Sequence, residues 1–134
     1  MEDNKYRQAL KKHPLEFSDE EAKKRVEQII STEFDENNNQ DVYKKLYSCI
    51  DQTSLNTTDT KESIWKFTEI VNSFEGSDPE IGNVAAICVY PNFVQTVKES
   101  LTADIKIASV AGGFPSSQTF IEVKVAEVSL AIAD

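Results

Sequence analysis

Apolar residues recur at two different periods along this chain, and the switches between them outline its elements. They are sparse through the first forty residues. Ser18-Asp19-Glu20-Glu21 has the form of a capping box, with Ser18 as N-cap and Glu21 at the third helical position. Ala22, Val26, Ile29 and Ile30 follow on one helical face, which predicts an amphipathic helix of about three turns. A shorter helix is expected at Lys5–Lys12, ahead of Pro14. Asn37-Asn38-Asn39 reads as a loop or helix end. Residues 41–46 fit a helical turn, and residues 47–51 (YSCID) read as a first strand. A further helix starts near Thr58, with Asp59 expected as its N-cap and Glu62 reaching back. Ile64, Phe67, Ile70, Val71 and Phe74 then repeat at helical spacing, with Trp65 beside them. That is a core-facing stripe rather than an aromatic binding box.

The period changes after the Gly76 to Pro79 turn. Residues 84–90 are continuously apolar between Gly82-Asn83 and Pro91, as strands buried on both faces of a parallel sheet are. Pro91 suits the first turn of a helix whose inner face is Phe93, Val94, Val97 and Leu101. Residues 105–110 form the next strand. Ser116-Ser117 precedes a last helix, in which Ile121, Val125, Val128 and Ala131 are expected to face inward. Strands alternating with helices imply an α/β fold with a parallel sheet and right-handed crossovers.

The remaining composition narrows the chemistry. The 134 residues are 40% hydrophobic and 28% charged, ordinary for a globular domain, with a formal net charge of −9. That charge argues against nonspecific nucleic-acid binding and against an anionic membrane surface. No apolar run is long enough to span a bilayer, and the N-terminus lacks the apolar centre of a signal peptide, so a cytoplasmic protein is expected. Cys49 and Cys88 sit in apolar runs and read as buried, reduced thiols. His13 is the only histidine, which leaves no base for a Cys-His or Ser-His pair, and no ligand spacing for a metal appears. No phosphate-binding glycine motif follows a strand.

Two positions stand out. Asp51 and Thr53 are two apart at the end of the first apolar run, so strand alternation puts them on one side; a plain turn is the competing reading. Among twelve lysines only Lys106 falls inside a strand, at its start, and reads as a snorkelling or edge charge.

Three segments resemble the deoxyribose-phosphate aldolase family. Ile50-Asp51-Gln52-Thr53-Ser54-Leu55 is similar to its first-strand I-D-x-T-x-L pattern. Residues 84–91 (VAAICVYP) resemble its second-strand signature, and residues 108–115 (ASVAGGFP) the end of its third strand. Lys124 and Glu127 fall in a helix resembling the third of the family, and the polar first forty-odd residues resemble the N-terminal extension of longer members. The resemblance implies a (β/α)₈ TIM barrel. It also implies cleavage of 2-deoxyribose 5-phosphate to glyceraldehyde 3-phosphate and acetaldehyde through a lysine Schiff base, without metal or other cofactor, in deoxyribonucleotide catabolism. Carried over, Asp51 is a supporting catalytic carboxylate, and Thr53, Leu55, Cys88 and Phe114 line the substrate pocket.

The same resemblance places the Schiff-base lysine on the sixth strand, a second lysine on the seventh, and the phosphate turns near strands seven and eight. None of these strands is among these residues. The expectation is a partial barrel: residues 1–45 a helical extension, residues 46–134 the first three βα units, truncated before a G-A-x-E-I-D strand and inactive alone. Three strands cannot close a barrel that takes about 250 residues. Val84, Ala86, Ile105 and Val110 on its inner face would then be open to water, and a homo-oligomer through the exposed sheet is expected. A non-catalytic self-associating module, or a small α/β enzyme with other chemistry, are the alternatives.

Overall fold

The computed structural model describes residues 4–13 and 17–134. The chain divides into two compact units, Met1–Asn39 and Gln40–Asp134. The first unit holds α1 (Lys5–Lys12) and α2 (Asp19–Asn37). Pro14, expected to close α1, lies outside the described residues. Glu21 N donates to Ser18 Oγ at 3.2 Å, and Ser18 N donates back to Glu21 Oε2 at 2.8 Å, so the capping box forms as expected. α2 runs 19 residues rather than about three turns, because Thr32, Glu33 and Phe34 continue it to the asparagines, and Asn38 is its C-cap.

The second unit opens with α3 (Gln40–Tyr47) and continues β1 (Asp51–Thr53), α4 (Lys61–Phe74), β2 (Ala86–Val89), a 3₁₀ turn at Pro91–Phe93, α5 (Val94–Ser100), β3 (Lys106–Ser109) and α6 (Ile121–Ala133). The strands form one parallel sheet in the order β1-β2-β3. The first strand therefore lies later than residues 47–51. Tyr47 ends α3, where its ring packs 5.1 Å from that of Phe74, and the chain pairs with β2 only from Asp51 on. Cys49 falls in the intervening turn and is exposed, not buried.

α4 starts at Thr60, one residue past the expected cap. Thr60 and Ser63 exchange side-chain to backbone hydrogen bonds at 3.1 and 2.8 Å. Asp59 is instead committed to the preceding turn, and Glu62 pairs with Lys66. The stripe of α4 holds at Ile64 and Val71, while Ile70 is exposed and the buried Thr68 takes part in its place, its hydroxyl donating to Ile64 O. Ile64, Val71, Val84, Ile87, Val89, Phe93, Val94 and Val97 form the core. Val84 and Ala86 are thus buried rather than open to water: Val84 packs with the helices, and Ala86 is small and flanked by strands on both sides. Asn72 ties α4 to the loop after α5, donating to Ser100 O at 2.7 Å and accepting from Thr102 N and Ala103 N at 2.9 and 3.1 Å.

α6 departs most from expectation. None of its residues is buried, and Ile121, Val125 and Val128 are exposed. The half-buried positions are Lys124, Glu127 and Ala131, a face set by a hydrogen bond rather than by apolarity.

Candidate functional site

Register decides which strand residues share a surface. Ile87 and Val89 point into the helical core, so alternation sends Ala86 and Cys88 to the opposite face of β2. Asp51 pairs with Ala86 and Thr53 with Cys88, which places Asp51, Thr53 and Cys88 together on that face. From the other side Lys106 pairs with Ala86 and Ala108 with Cys88. The face therefore has two cross-strand rows, Asp51–Ala86–Lys106 and Thr53–Cys88–Ala108. With strands about 4.8 Å apart, the carboxylate and ammonium carriers flank a small alanine across about 10 Å of sheet. Sequence reading missed that Asp51 and Lys106 lie in one row across Ala86, because only register reveals it. Asp51, expected as the last residue of the first strand, begins β1, and Thr53, expected beyond it, ends it.

Polar detail at the strand ends fixes the loops above this face. Thr53 Oγ1 donates to Asp51 O at 2.8 Å, which uses the hydroxyl proton and leaves its lone pairs facing outward. Both side chains are exposed, and Cys88 is half-buried with a free thiol. Ser54 Oγ and Asn56 N both donate to Asp59 Oδ2 at 2.9 Å, closing the turn after β1. Leu55 is half-buried, and its carbonyl accepts from Tyr90 Oη at 3.2 Å, which links the ends of β1 and β2.

The turn after β3 is built on Gly112 and Gly113, both at φ +74°. A Cβ at Gly113 would sit 2.9 Å from Thr119 Cγ2, so glycine is required there. Glu127 Oε2 accepts from Gly113 N at 2.9 Å, and Ser117 N donates to Gly113 O at 2.7 Å. Phe114 follows, exposed at the rim of the turn. Glu127 was missed as a site-building residue because fourteen positions separate it from its partner. Its only sequence signal is a carboxylate on a helix that follows a Gly-Gly turn.

A cavity of about 540 Å³ lies elsewhere in this unit, lined by Tyr43, Lys44, Tyr47, Phe74, Asp78 and Glu80 among others. It contains none of the expected site residues. Lys44 Nζ lies 2.9 Å from Glu80 Oε2, and that hydrogen bond holds the lysine above its ordinary value. Among the described residues no three His, Cys, Asp or Glu side chains gather as a metal site would need. Among the described residues no helix is long and apolar enough to cross a membrane.

No family model matches the chain. It is 37% identical over 99 residues to a Caenorhabditis elegans protein provisionally named deoxyribose-phosphate aldolase, covering 72% of this chain and 32% of that protein. It is 34% identical over 102 residues to the deoxyribose-phosphate aldolase of Bos taurus, covering 67% of this chain and 32% of that one. The chain thus spans about a third of the length of the curated relatives it matches. A crystal structure of a protein provisionally named deoxyribose-phosphate aldolase from Coccidioides immitis superposes with a TM-score of 0.53 at 21% identity, covering 67% of this chain and 32% of that one. The parallel α/β sheet matches part of that fold.

Proposed function

We propose, for a chain whose similarity to deoxyribose-phosphate aldolases runs through both sequence and fold, that it supplies the first three βα units of such a barrel and one wall of its active site. The substrate in this reading is 2-deoxyribose 5-phosphate. A lysine amine condenses with its C1 aldehyde and water leaves. The iminium draws in the electron pair of the breaking C2–C3 bond as the C3 hydroxyl gives up its proton. Glyceraldehyde 3-phosphate departs, and the enamine is protonated and hydrolysed to acetaldehyde. The lysine that the resemblance assigns to this role is not among these 134 residues.

The observation that carries the reading is the register that brings Asp51, Thr53 and Cys88 onto the face away from the helices. In a closed barrel that face is the interior, and its upper end is where substrates bind. Asp51 would stabilise the iminium cation and exchange protons with the lysine network. Thr53, with its proton spent on Asp51 O, would accept a hydrogen bond from a substrate hydroxyl. Leu55, Cys88 and Phe114 would close the pocket.

Fragment complementation tests this. The chain is mixed with a polypeptide carrying the remaining βα units of the Bos taurus relative, and acetaldehyde release from 2-deoxyribose 5-phosphate is followed. Cleavage is expected in the mixture and not in either piece, with the Asp51→Asn mixture reduced about 10²-fold or more. If the matching first third of the relative restores cleavage and this chain does not, the reading fails. Borohydride trapping gives a second readout: a stoichiometric acetaldehyde adduct on Lys106 of this chain alone would also overturn it.

A further inference from the structure

The cavity of about 540 Å³ beside α3 takes no part in the proposed aldolase chemistry, and it has the size of a small-molecule site. Gln40, Tyr43, Lys44 and Tyr47 recur at i, i+3, i+4 and i+7, so a single face of α3 makes one wall. Phe74, at the end of α4, makes the other wall with Asp78 and Glu80 from the turn between α4 and β2. Three of these side chains are aromatic. The rings of Tyr47 and Phe74 meet at 5.1 Å and are tilted by 43°, and Tyr43 is 52% exposed, so its ring is open to an incoming molecule.

The charges around this cavity select its ligand. Among the described residues Lys44 is the only cation that lines it, and Lys44 Nζ already donates to Glu80 Oε2 at 2.9 Å. That bond, and the charges of Glu80, Asp41 and Asp78, raise the lysine above its ordinary value against partial desolvation. The amine is therefore protonated and is no nucleophile. An entering anion would meet two carboxylates and a lysine that is already paired. A cation meets the opposite situation. Asp78 Oδ1 accepts from Glu80 N at 2.8 Å, and Glu80 accepts from Lys44 through Oε2, which leaves lone pairs on both carboxylates for a further donor. The faces of the aromatic rings attract positive charge as well. We infer that this cavity is a binding site for a small organic cation, with its ammonium against Asp78 and Glu80 and its apolar body along Tyr43, Tyr47 and Phe74.

The site is independent of the sheet and of any catalytic role. It is tested by titrating the whole chain with benzylammonium, with benzyl alcohol as the uncharged counterpart and phenylacetate as the anionic one. Ring resonances of Tyr43 and Tyr47 report binding. Benzylammonium is expected to bind about tenfold more tightly than either counterpart. Asp78→Asn with Glu80→Gln should remove that preference, since asparagine keeps the acceptor for Glu80 N while the charge is lost. Tyr43→Leu should weaken benzylammonium, and circular dichroism checks that helicity is kept in each variant. Lys44→Met has the most telling sign. It releases Glu80 and should tighten benzylammonium, whereas an anion site would lose phenylacetate. The inference is overturned if the three probes bind alike, as a merely apolar trap would give, or if phenylacetate binds best. It is equally overturned if Lys44→Met weakens benzylammonium, or if no probe moves the two tyrosines of the folded chain, as a cavity filled by protein side chains would give.

Discussion

The most buried positions define what single substitutions should cost. Ile87 and Val97 are fully inaccessible, one from the central strand and one from α5. Ile87→Ala should lose about 2–5 kcal/mol in urea or thermal unfolding, and Ile87→Val about 0.5–1.5. Ile132→Ala, at a position 80% exposed, should change unfolding by less than about 0.5 kcal/mol. Asn72 offers a sharper test, since one amide both donates to Ser100 O and accepts from two backbone N–H groups. Asn72→Ala should cost about 2–3 kcal/mol by leaving these groups unpaired, whereas Asn72→Asp keeps the acceptor and loses only the donor. If the two variants melt together, the network does not contribute as the geometry implies. Ile87 and Val97 were legible as buried positions, but the Asn72 network was not. Asn72 sits in an ordinary helical stretch, and its partners lie about thirty residues away. Asp51, Thr53 and Cys88 were legible as candidates, but their common face was not, because it depends on which residue of β2 each one pairs with.

Among the elements, α2, β2 and β3 were read where they form, whereas the cap of α4, the bounds of β1 and the inward face of α6 were not. The α2 cap needed only Ser18 and Glu21. It makes a pH prediction with a definite sign. Backbone and then side-chain hydrogen bonds from Ser18 hold the Glu21 carboxyl below its ordinary 4.5. A lowered folded-state value means the contribution is fully present above 4.5 and is lost as pH falls through the folded value. Helicity of α2 should therefore decline in that acid range. Glu21→Gln should remove this part of the acid response, and Ser18→Ala should cost about 1 kcal/mol at neutral pH. Far-UV circular dichroism of the two variants against the parent, titrated downward from neutral pH, checks both. The start of α4 was displaced by one residue because Thr60 and Asp59 are both competent caps; the turn holding Ser54 and Asn56 claims Asp59. β1 was placed too early because YSCID is the more apolar run, yet pairing with Ala86 to Cys88 selects the polar DQT. The apolar residues of α6 are spread around most of its circumference, with Glu122, Lys124 and Glu127 among them, and the inward face is not the apolar one. The hydrogen bond from Gly113 N to Glu127 chooses the inward face instead.

At the scale of the whole molecule, the three-stranded sheet and α6 raise the same physical problem. β2 is flanked on both sides, while β1 and β3 each present one unpaired edge among the described residues. α6 leaves Ile121, Leu130 and Ile132 at 73%, 66% and 80% exposure. Large apolar side chains left this exposed on one helix are surfaces that a partner covers. Each such side chain is worth about 1.5–3 kcal/mol on burial, so three of them can match much of a domain stability of about 5–15 kcal/mol. In a complete barrel the neighbouring βα units would cover these surfaces, which is what the aldolase reading supplies. These residues by themselves are expected to associate instead, through α6 and the sheet edges. Light scattering at micromolar concentration should give a mass above that of one chain. Leu130→Gln with Ile132→Gln should shift it downward without loss of helicity, because neither side chain contributes to the core. Adding the remaining βα units of a relative should have the same dispersing effect and should slow amide exchange in β3. A chain that stays monomeric with α6 exposed would show that these apolar surfaces need no partner, and the association would have to be abandoned.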